Sequence, residues 1–593
     1  MNTQQVFISG VQLFQAGNFA GASQCFSTVV QQIPHHLDAH FLLAQCRRKL
    51  NDPDGAEKIL RWLLSVRRTP EYLIMLANIN IAKQAWIEAE TQLRDAIELK
   101  PSFDAWVNLG RLYFVLENWS QAKVALQRSL KLRPNDVGSL ISLIECYRRL
   151  GEVEQAISEL KLLVHNADLN LSQLHKIAFL LHSLDHSQEA FDLLRFRIPV
   201  EGFNEGLMGL LAKLVLQHES IDGAKEFITG MLSVPSIKRR ALDLLFRLEW
   251  ESGKDSAFIH YESVLKSTPS EDVLEDYLRK LIKCGRFEFA YQQLNGLNEG
   301  QPNNPVLKFL KAFIVCELGH FDEALTEINA LIAQSPEDGQ FIEQKVKTLL
   351  SMKRAEEAFE LMQLRLKLPD VKQGTYALYA SVLKLSGREQ EYRRLYDFDK
   401  HINCIQIDLT SNNLHERLKQ KLTGMHSGNR EPFEQSLRGG SQTTGHLFES
   451  GDPDIAELKE RLMKQLAELF SRVDFSSSAP LNSLNVGEFT ITDSWSVLLK
   501  DTHFHANHFH NAGDLSACLY LDVSGVNSHP GEGWIKFGEA ELGGWVQDCP
   551  DYCVKPDTGL LVVFPSYMWH GTTPFLSDKQ RMTIAFDLRF LRD

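Results

Sequence analysis

Alanine recurs along the first two thirds of the chain at intervals of 33 or 34 residues. An apolar residue stands four positions after each of these alanines, and Glu391 takes the next step of the series. This period is typical of two-helix repeats, in which the two helices cross at a small residue and each unit packs on the next. We therefore predict about twelve helix pairs over residues 1–400. The alanines are Ala22, Ala56, Ala89, Ala122, Ala156, Ala190, Ala224, Ala257, Ala290, Ala324 and Ala358.

One unit of this array carries a full set of signature residues. They are Trp106, Leu109, Gly110, Tyr113, Ala122, Leu126 and Pro134. The pattern resembles the tetratricopeptide repeat. The resemblance implies an all-α superhelix whose long concave face binds a protein or peptide. A rigid spacer or an oligomerisation surface is the alternative role. From about Ala190 onwards the first-helix pattern weakens, while the second-helix spacing persists.

The composition argues against some classes of binding partner. The net charge is −13, from 63 basic and 76 acidic residues, which argues against a general nucleic-acid or anionic-membrane binder. The nine cysteines are scattered, and the spacing of Cys549 and Cys553 fits neither a zinc knuckle nor a redox pair. No basic leader and no apolar run of about 20 residues is present. We expect a cytoplasmic protein with reduced thiols.

Beyond residue 400 the pattern changes to short alternating runs. Apolar residues alternate with polar ones from Ile405 to Leu409, and strand-like runs follow at 495–499 and 515–521. One helix is predicted, Asp454 to Val473, with a single apolar stripe. Many short strands with glycine-rich turns and no alternating helices indicate a jelly-roll barrel over residues 401–593. The chain is thus predicted to be multidomain.

Two histidines stand between the strand-like runs. In an extended segment, residues i and i+2 point to the same face. His508 and His510 would therefore project side by side, while Phe509 points the other way. Such a pair provides two adjacent vertices of a metal coordination shell.

His570 is the best candidate for a third metal ligand. It follows the buried strand predicted at 560–564 and the turn after it, so we expect it at the end of that strand. His503 and His505 lie in the same segment as the first two histidines, which leaves the individual assignments open.

A cationic residue opens the last strand-like run. Arg581 and Thr583 share one face of this run, and a guanidinium beside a hydroxyl suits a bidentate carboxylate. An ordinary surface ion pair is the alternative for Arg581.

Together these elements resemble the 2-oxoglutarate/Fe(II) oxygenases, and within them a bacterial subfamily often fused to tetratricopeptide repeats. The resemblance covers about residues 402 to 593. It is carried by Gln435–Thr443, His508-x-His510 with Leu515, Ser516 and Tyr520, Phe564-Pro-Ser566 before His570, and Arg581-x-Thr583.

The resemblance implies a double-stranded β-helix with Fe(II) on three ligands and open positions for co-substrate and O2. It implies His508, His510 and His570 as iron ligands and Arg581 with Thr583 as the anchor for 2-oxoglutarate. Tyr520 is a further candidate at the co-substrate. The second ligand of the wider superfamily is usually Asp or Glu, and here it is His510.

The activity implied is hydroxylation of a substrate, which we expect to be a protein or peptide captured by the repeats. Two alternatives remain. One is a three-histidine iron dioxygenase that does not use 2-oxoglutarate, and the other is a non-catalytic repeat scaffold with a degenerate barrel. Arg438 lies in a polar loop, residues 424–453, that either covers the active-site mouth or is simple surface. Tyr567 and Trp569, like Tyr520, are predicted either to line the pocket or to fill the barrel.

Overall fold

The computed structural model describes most of the chain. The described residues are 2–166, 169–184, 186–197, 207, 210, 211, 214, 215, 221–251, 253, 255–296, 304–426, 433, 435–443, 446–473, 488–524, 526, 530–577 and 579–590. They fall in two compact units, Met1–Phe227 and Ile228–Asp593. None of the helices in this part of the chain is long and apolar enough to cross a membrane.

The first unit is a series of antiparallel helix pairs. Its helices are α1 (Thr3–Gln15), α2 (Phe19–Gln32), α3 (Leu37–Lys49), α4 (Pro53–Val66), α5 (Pro70–Ala82), α6 (Trp86–Leu99), α7 (Phe103–Val115), α8 (Trp119–Leu132), α9 (Val137–Arg149), α10 (Val153–Asn166), α11 (Leu171–Ser183) and α12 (Ser187–Arg197). Helix α13 (Ile221–Gly230) contains the boundary between the units.

The helices of this unit begin and cross where the sequence predicts. Side chains such as Asn18, Asp52 and Ser102 accept hydrogen bonds from backbone N–H groups of the first turn and so cap their helices. Each alanine of the predicted series is at most 2% exposed. A Cβ added at Gly110 would lie 2.9 Å from Leu126, which explains the glycine of the signature.

The second unit begins with further helix pairs. They are α14 (Lys238–Glu251), α15 (Ile259–Ser267), α16 (Glu271–Lys283), α17 (Phe287–Gly296), α18 (Pro305–Glu317), α19 (Phe321–Gln334), α20 (Gly339–Ser351), α21 (Ala355–Arg365), α22 (Gln373–Leu385) and α23 (Glu389–Leu395). The remaining helices are α24 (Phe398–His401), α25 (Leu414–Met425) and α26 (Pro453–Phe470).

The strands follow and form three antiparallel sheets. They are β1 (Asn403–Gln406), β2 (Leu437–Arg438), β3 (Ser441–Gln442), β4 (Phe489–Leu499), β5 (Phe504–His505), β6 (Leu515–Asp522), β7 (Ile535–Phe537), β8 (Tyr552–Val554), β9 (Leu560–Pro565), β10 (His570–Thr572) and β11 (Arg581–Phe590). The large sheet has the order β1-β9-β6-β11-β4-β3, and the smaller sheets are β10-β7-β8 and β2-β5.

The predicted fold class is confirmed. A long helical array of tetratricopeptide type is followed by a mainly antiparallel domain of jelly-roll type. Helix α26 buries the predicted stripe, from Ile455 to Phe470. One detail differs, because His570 does not end the strand β9. A turn follows Pro565, and His570 opens β10 in the neighbouring sheet.

The hydrophobic core of the second unit is continuous across residue 400, running from Val346 to Phe590. The indole N–H of Trp569 donates to the carbonyl of Ala377 at 3.0 Å. The hydroxyl of Tyr567 donates to the carbonyl of Leu395 at 2.9 Å. The last repeat helices therefore pack directly on the barrel, and the domain boundary near residue 400 stays a prediction.

We expect a chain that starts at Ile221, with α13 kept whole, to unfold cooperatively on heating, because the core of the second unit is complete in it. A chain that starts at residue 401 leaves Tyr567 and Trp569 without their partners and exposes the apolar surface around them. It should aggregate or lose its cooperative transition. Circular dichroism during heating measures both. A cooperative transition at the same temperature in the shorter chain would contradict the expectation.

Candidate metal centre

The imidazoles of His508, His510 and His570 form one cluster, in which potential ligand atoms lie within 4.8 Å of one another. The ring centroids of His508 and His570 are 4.2 Å apart, and His510 lies 5.1 Å from each of the other two rings. Two backbone hydrogen bonds of 2.8 and 2.9 Å join His508 to His570. The structure thus brings together the three histidines named from the sequence.

Each of the three rings has a hydrogen-bond acceptor at its Nδ1. Nδ1 of His508 is 2.8 Å from the carbonyl oxygen of Ala506, and Nδ1 of His570 is 2.9 Å from that of Met568. A carbonyl only accepts, so these Nδ1 atoms carry protons and the lone pairs are on Nε2. Burial holds the pKa of both rings well below the usual range, so both are neutral at neutral pH.

His510 is held by a carboxylate. Its Nδ1 donates to Oδ1 of Asp587 over 2.6 Å. The hydroxyl of Ser516 donates to the same oxygen over 2.7 Å. Asp587 is 3% exposed, so its negative charge is buried beside the ring. A carboxylate behind a metal-binding imidazole fixes its tautomer and raises its basicity. A carboxylate ligand would bring a negative charge directly to a metal. Here that negative charge lies on Asp587, one hydrogen bond behind His510.

Asp587 was not predicted from the sequence, although a signal for it was present. In the run after Arg581, residues at every second position share a face. This places Asp587 on the same face as Thr583, which had been singled out.

The cluster opens into a cavity of about 620 Å³ within the second unit. Arg581 and Thr583 line it together with the three histidines, as the sequence predicts for one shared site. Phe509 packs against Trp569, with ring centroids 4.9 Å apart, and lies so close to α22 that a Cβ at Gly374 would be 2.8 Å from its ring. The rings of its chain neighbours, His508 and His510, lie 5.1 Å apart.

Arg581 is 2% exposed, and it forms no ion pair with any residue that the structure describes. Its Nε has no hydrogen-bond partner. The guanidinium lies over the ring of Tyr520, 5.0 Å from the centroid. A buried cation without a counter-charge is costly. The cavity therefore favours an anion at this end.

Other predicted site residues take different places. Tyr520 is fully buried beneath Arg581 and does not line the cavity, and Tyr567 likewise lies in the core. Trp569 does line the cavity. His505 lines it too, with its ring centroid 5.9 Å from that of His508, but stays outside the ligand cluster. Burial and then the charge of Arg581 lower the pKa of His505 to about 3.

The predicted polar loop contributes Arg438 and Ser436 to the cavity wall. Residues 427–432, 434, 444 and 445 of this loop lie outside the described residues. Phe433 packs against Phe246 and Trp250 of α14, at centroid distances of 4.6 and 5.0 Å. Lys283, at the end of α16, also lines the cavity. Repeat helices therefore contact Phe433 and form part of the wall, which no local pattern in the sequence indicated.

Comparison with known families agrees with this architecture. Residues 493–587 match the family model described as "Putative 2OG-Fe(II) oxygenase". Residues 13–79 and 103–136 match two tetratricopeptide repeat models. The chain matches a tetratricopeptide–oxygenase fusion. The resemblance inferred from the sequence is thereby confirmed, and the oxygenase match contains all three histidines, Arg581 and Thr583.

Several solved structures are similar to part of the chain. MamA is 21% identical, with 26% of this chain and 90% of that chain covered and a TM-score of 0.24. A thermophilic tetratricopeptide protein of Thermus thermophilus is 21% identical, with coverage of 30% and 99% and a TM-score of 0.27. PilF of Pseudomonas aeruginosa is 18% identical, with coverage of 38% and 97% and a TM-score of 0.30. No curated protein matches the chain.

We expect Asp587→Asn to weaken metal binding by about 10-fold to 100-fold, because the amide oxygen still accepts from His510 while the buried charge is lost. Anaerobic titration with Fe(II), or with Co(II) as a spectroscopic probe, measures the affinity.

Asp522→Asn is the matched control. Asp522 is also a buried aspartate of the large sheet, but it pairs with Lys419 and does not line the cavity. Equal metal affinity in both variants and in the unaltered protein would show that the charge of Asp587 does not act on the site.

Proposed function

We propose that the barrel binds Fe(II) at His508, His510 and His570 and uses 2-oxoglutarate and O2 to hydroxylate a substrate. The observation that carries the proposal is a buried Arg581, without an ion pair among the described residues, in the same cavity as three convergent imidazoles. One end of the cavity suits a divalent metal, and the other end suits a carboxylate.

His508 and His570 are suited to a metal because burial keeps both rings neutral, so their Nε2 lone pairs need no deprotonation. Three protein ligands leave further coordination positions for a co-substrate and O2. Asp587 offsets part of the metal's charge through His510. When bound, Fe(II) with the 2-oxo acid supplies the oxidising chemistry, in which O2 and 2-oxoglutarate give succinate, CO2 and a hydroxylated C–H position.

The opposite end of the cavity orients the co-substrate. Arg581 presents donors in a planar fork that matches the distal carboxylate of 2-oxoglutarate. Thr583 adds a hydroxyl on the same face, and the ring of Tyr520 supports the guanidinium from below. Because the site is buried, this charge pair is stronger than it would be in water.

We assign a protein or peptide substrate to the repeats. The support is that Lys283 of a repeat helix lines the same cavity as the histidines, so a chain held by the repeats reaches the site. Tetratricopeptide arrays present long concave surfaces to partners. A cytoplasmic location is part of this proposal, because the nine scattered cysteines fit a reducing compartment.

A three-histidine dioxygenase that needs no 2-oxo acid is the second candidate, and the absence of a carboxylate from the described ligand cluster favours it. The buried Arg581 favours the 2-oxo acid enzyme, because 2-oxoglutarate has a distal carboxylate that its guanidinium can bind. The third candidate, a non-catalytic scaffold with a degenerate barrel, is disfavoured because all three histidines of the cluster are present and close together.

Arg581→Ala should raise the 2-oxoglutarate concentration needed for half-maximal succinate formation by about 10-fold to 100-fold, because a charge-assisted bond contributes about 1.5–3 kcal/mol. Metal affinity should not change, since the guanidinium is not in the histidine cluster. Succinate is measured with Fe(II), ascorbate and air.

Arg589→Ala serves as the control, because Arg589 lies on the same strand but is exposed. Its concentration dependence should equal that of the unaltered protein. If succinate formation in Arg581→Ala depends on 2-oxoglutarate concentration as it does in the unaltered protein, Arg581 does not anchor the co-substrate. Metal binding without any succinate would favour the three-histidine dioxygenase.

A further inference from the structure

Two neighbouring strands form the floor of the cavity. Strands β6 and β11 are antiparallel, and alternate residues of each face the same side. Three paired positions on this side run from the metal end to the arginine end of the cavity. They are Ser516 with Asp587, Cys518 with Ala585, and Tyr520 with Thr583.

The outer two pairs already have roles. Ser516 and Asp587 hold His510, while Tyr520 and Thr583 flank Arg581. The middle pair lies about 7 Å along the strands from each of them, since a strand rises about 3.3 Å per residue. Any dicarboxylate that reaches from the histidines to Arg581 must pass over this middle pair.

The middle pair consists of two small side chains that both line the cavity, Cys518 and Ala585. Cys518 lies on a central strand, between β9 and β11, yet it is only partly buried. Its exposed part therefore faces the cavity. Burial raises the pKa of its thiol, and the nearby Arg581 and Thr583 oppose that rise. The thiol thus lies within reach of both anchor residues.

We propose that Cys518 and Ala585 form the bed for the methylene segment of the co-substrate, so that a bound 2-oxo dicarboxylate covers the Cys518 thiol. This inference rests on the proposed function and adds a residue that selects the co-substrate. It also makes Cys518 a modification site, because a group attached to its sulfur would occupy the space of the co-substrate. Alkylation and co-substrate binding should exclude each other.

The test is the alkylation rate of each cysteine in the full chain, measured by mass spectrometry with iodoacetamide. The protein is kept under argon with Fe(II), so that no turnover occurs, and at about pH 8.5, where more thiol is ionised. At a 2-oxoglutarate concentration of about ten times its Kd, the rate at Cys518 should fall by about tenfold, because only the free form reacts.

Internal controls are built into the chain. Cys404, Cys549 and Cys553 are exposed and should react at the same rate with and without 2-oxoglutarate. Pyruvate has the 2-oxo acid group without the distal carboxylate, so the same concentration should not protect Cys518. Arg581→Ala should lose the protection by 2-oxoglutarate at that concentration as well.

A larger side chain tests the size of the bed. Cys518→Leu fills it and should raise the 2-oxoglutarate requirement for succinate formation by at least about tenfold, while Co(II) affinity stays unchanged, because the metal ligands are not displaced. If Cys518→Leu fails to fold, the labelling of the unaltered protein still decides the question.

The failures of the two proposals are distinguishable. If 2-oxoglutarate saturates succinate formation but leaves the alkylation rate of Cys518 unchanged, the bed is elsewhere and the proposed function stands. If 2-oxoglutarate neither forms succinate nor protects Cys518, both the bed and the proposed co-substrate are wrong.

Discussion

The two backbone hydrogen bonds between His508 and His570 are the contact on which the rest of the site depends. They fix two imidazoles from distant parts of the sequence with their ring centroids 4.2 Å apart. The turn that presents His570 is itself held by the repeat helices, through the indole of Trp569 on α22 and the hydroxyl of Tyr567 on Leu395. The last repeats thus help to position the histidine cluster.

Charge is distributed along the cavity in a way that suits a metal at one end and an anion at the other. His508 and His570 are neutral, and the buried carboxylate of Asp587 stands behind His510. At the opposite end the buried guanidinium of Arg581 has no ion-pair partner among the described residues. The buried carboxylate of Asp587 and the buried guanidinium of Arg581 are each costly without an opposite charge. A metal at the histidines and a dicarboxylate that bridges the metal and Arg581 would supply both opposite charges.

Much of this arrangement could be predicted from the sequence, because the responsible patterns are local or periodic. The 33-to-34-residue spacing predicts the repeats, since every unit must place a small residue where its helices cross. Alternation in the last strand predicts that Arg581 and Thr583 share a face. The same alternation places Asp587 on the face of Thr583. Nothing in the sequence shows that the side chain of Asp587 contacts the ring of His510.

What could not be predicted depends on contacts between distant segments. The packing of Trp569 on α22 and of Phe433 on α14 joins residues nearly two hundred positions apart, and neither residue stands in a periodic pattern. The place of His570 at the start of β10 depends on the pairing of β10 with β7. The role proposed for Cys518 rests on its register with Ala585.

The central claim is that one dicarboxylate bridges the histidine cluster and Arg581. Calorimetric titration of 2-oxoglutarate into the anaerobic protein, with and without Fe(II), tests it most directly. The account predicts that affinity falls by at least about tenfold when the metal is removed, because one of the two attachment points is lost. Equal affinity with and without Fe(II) would contradict it, because the co-substrate would then not contact the metal.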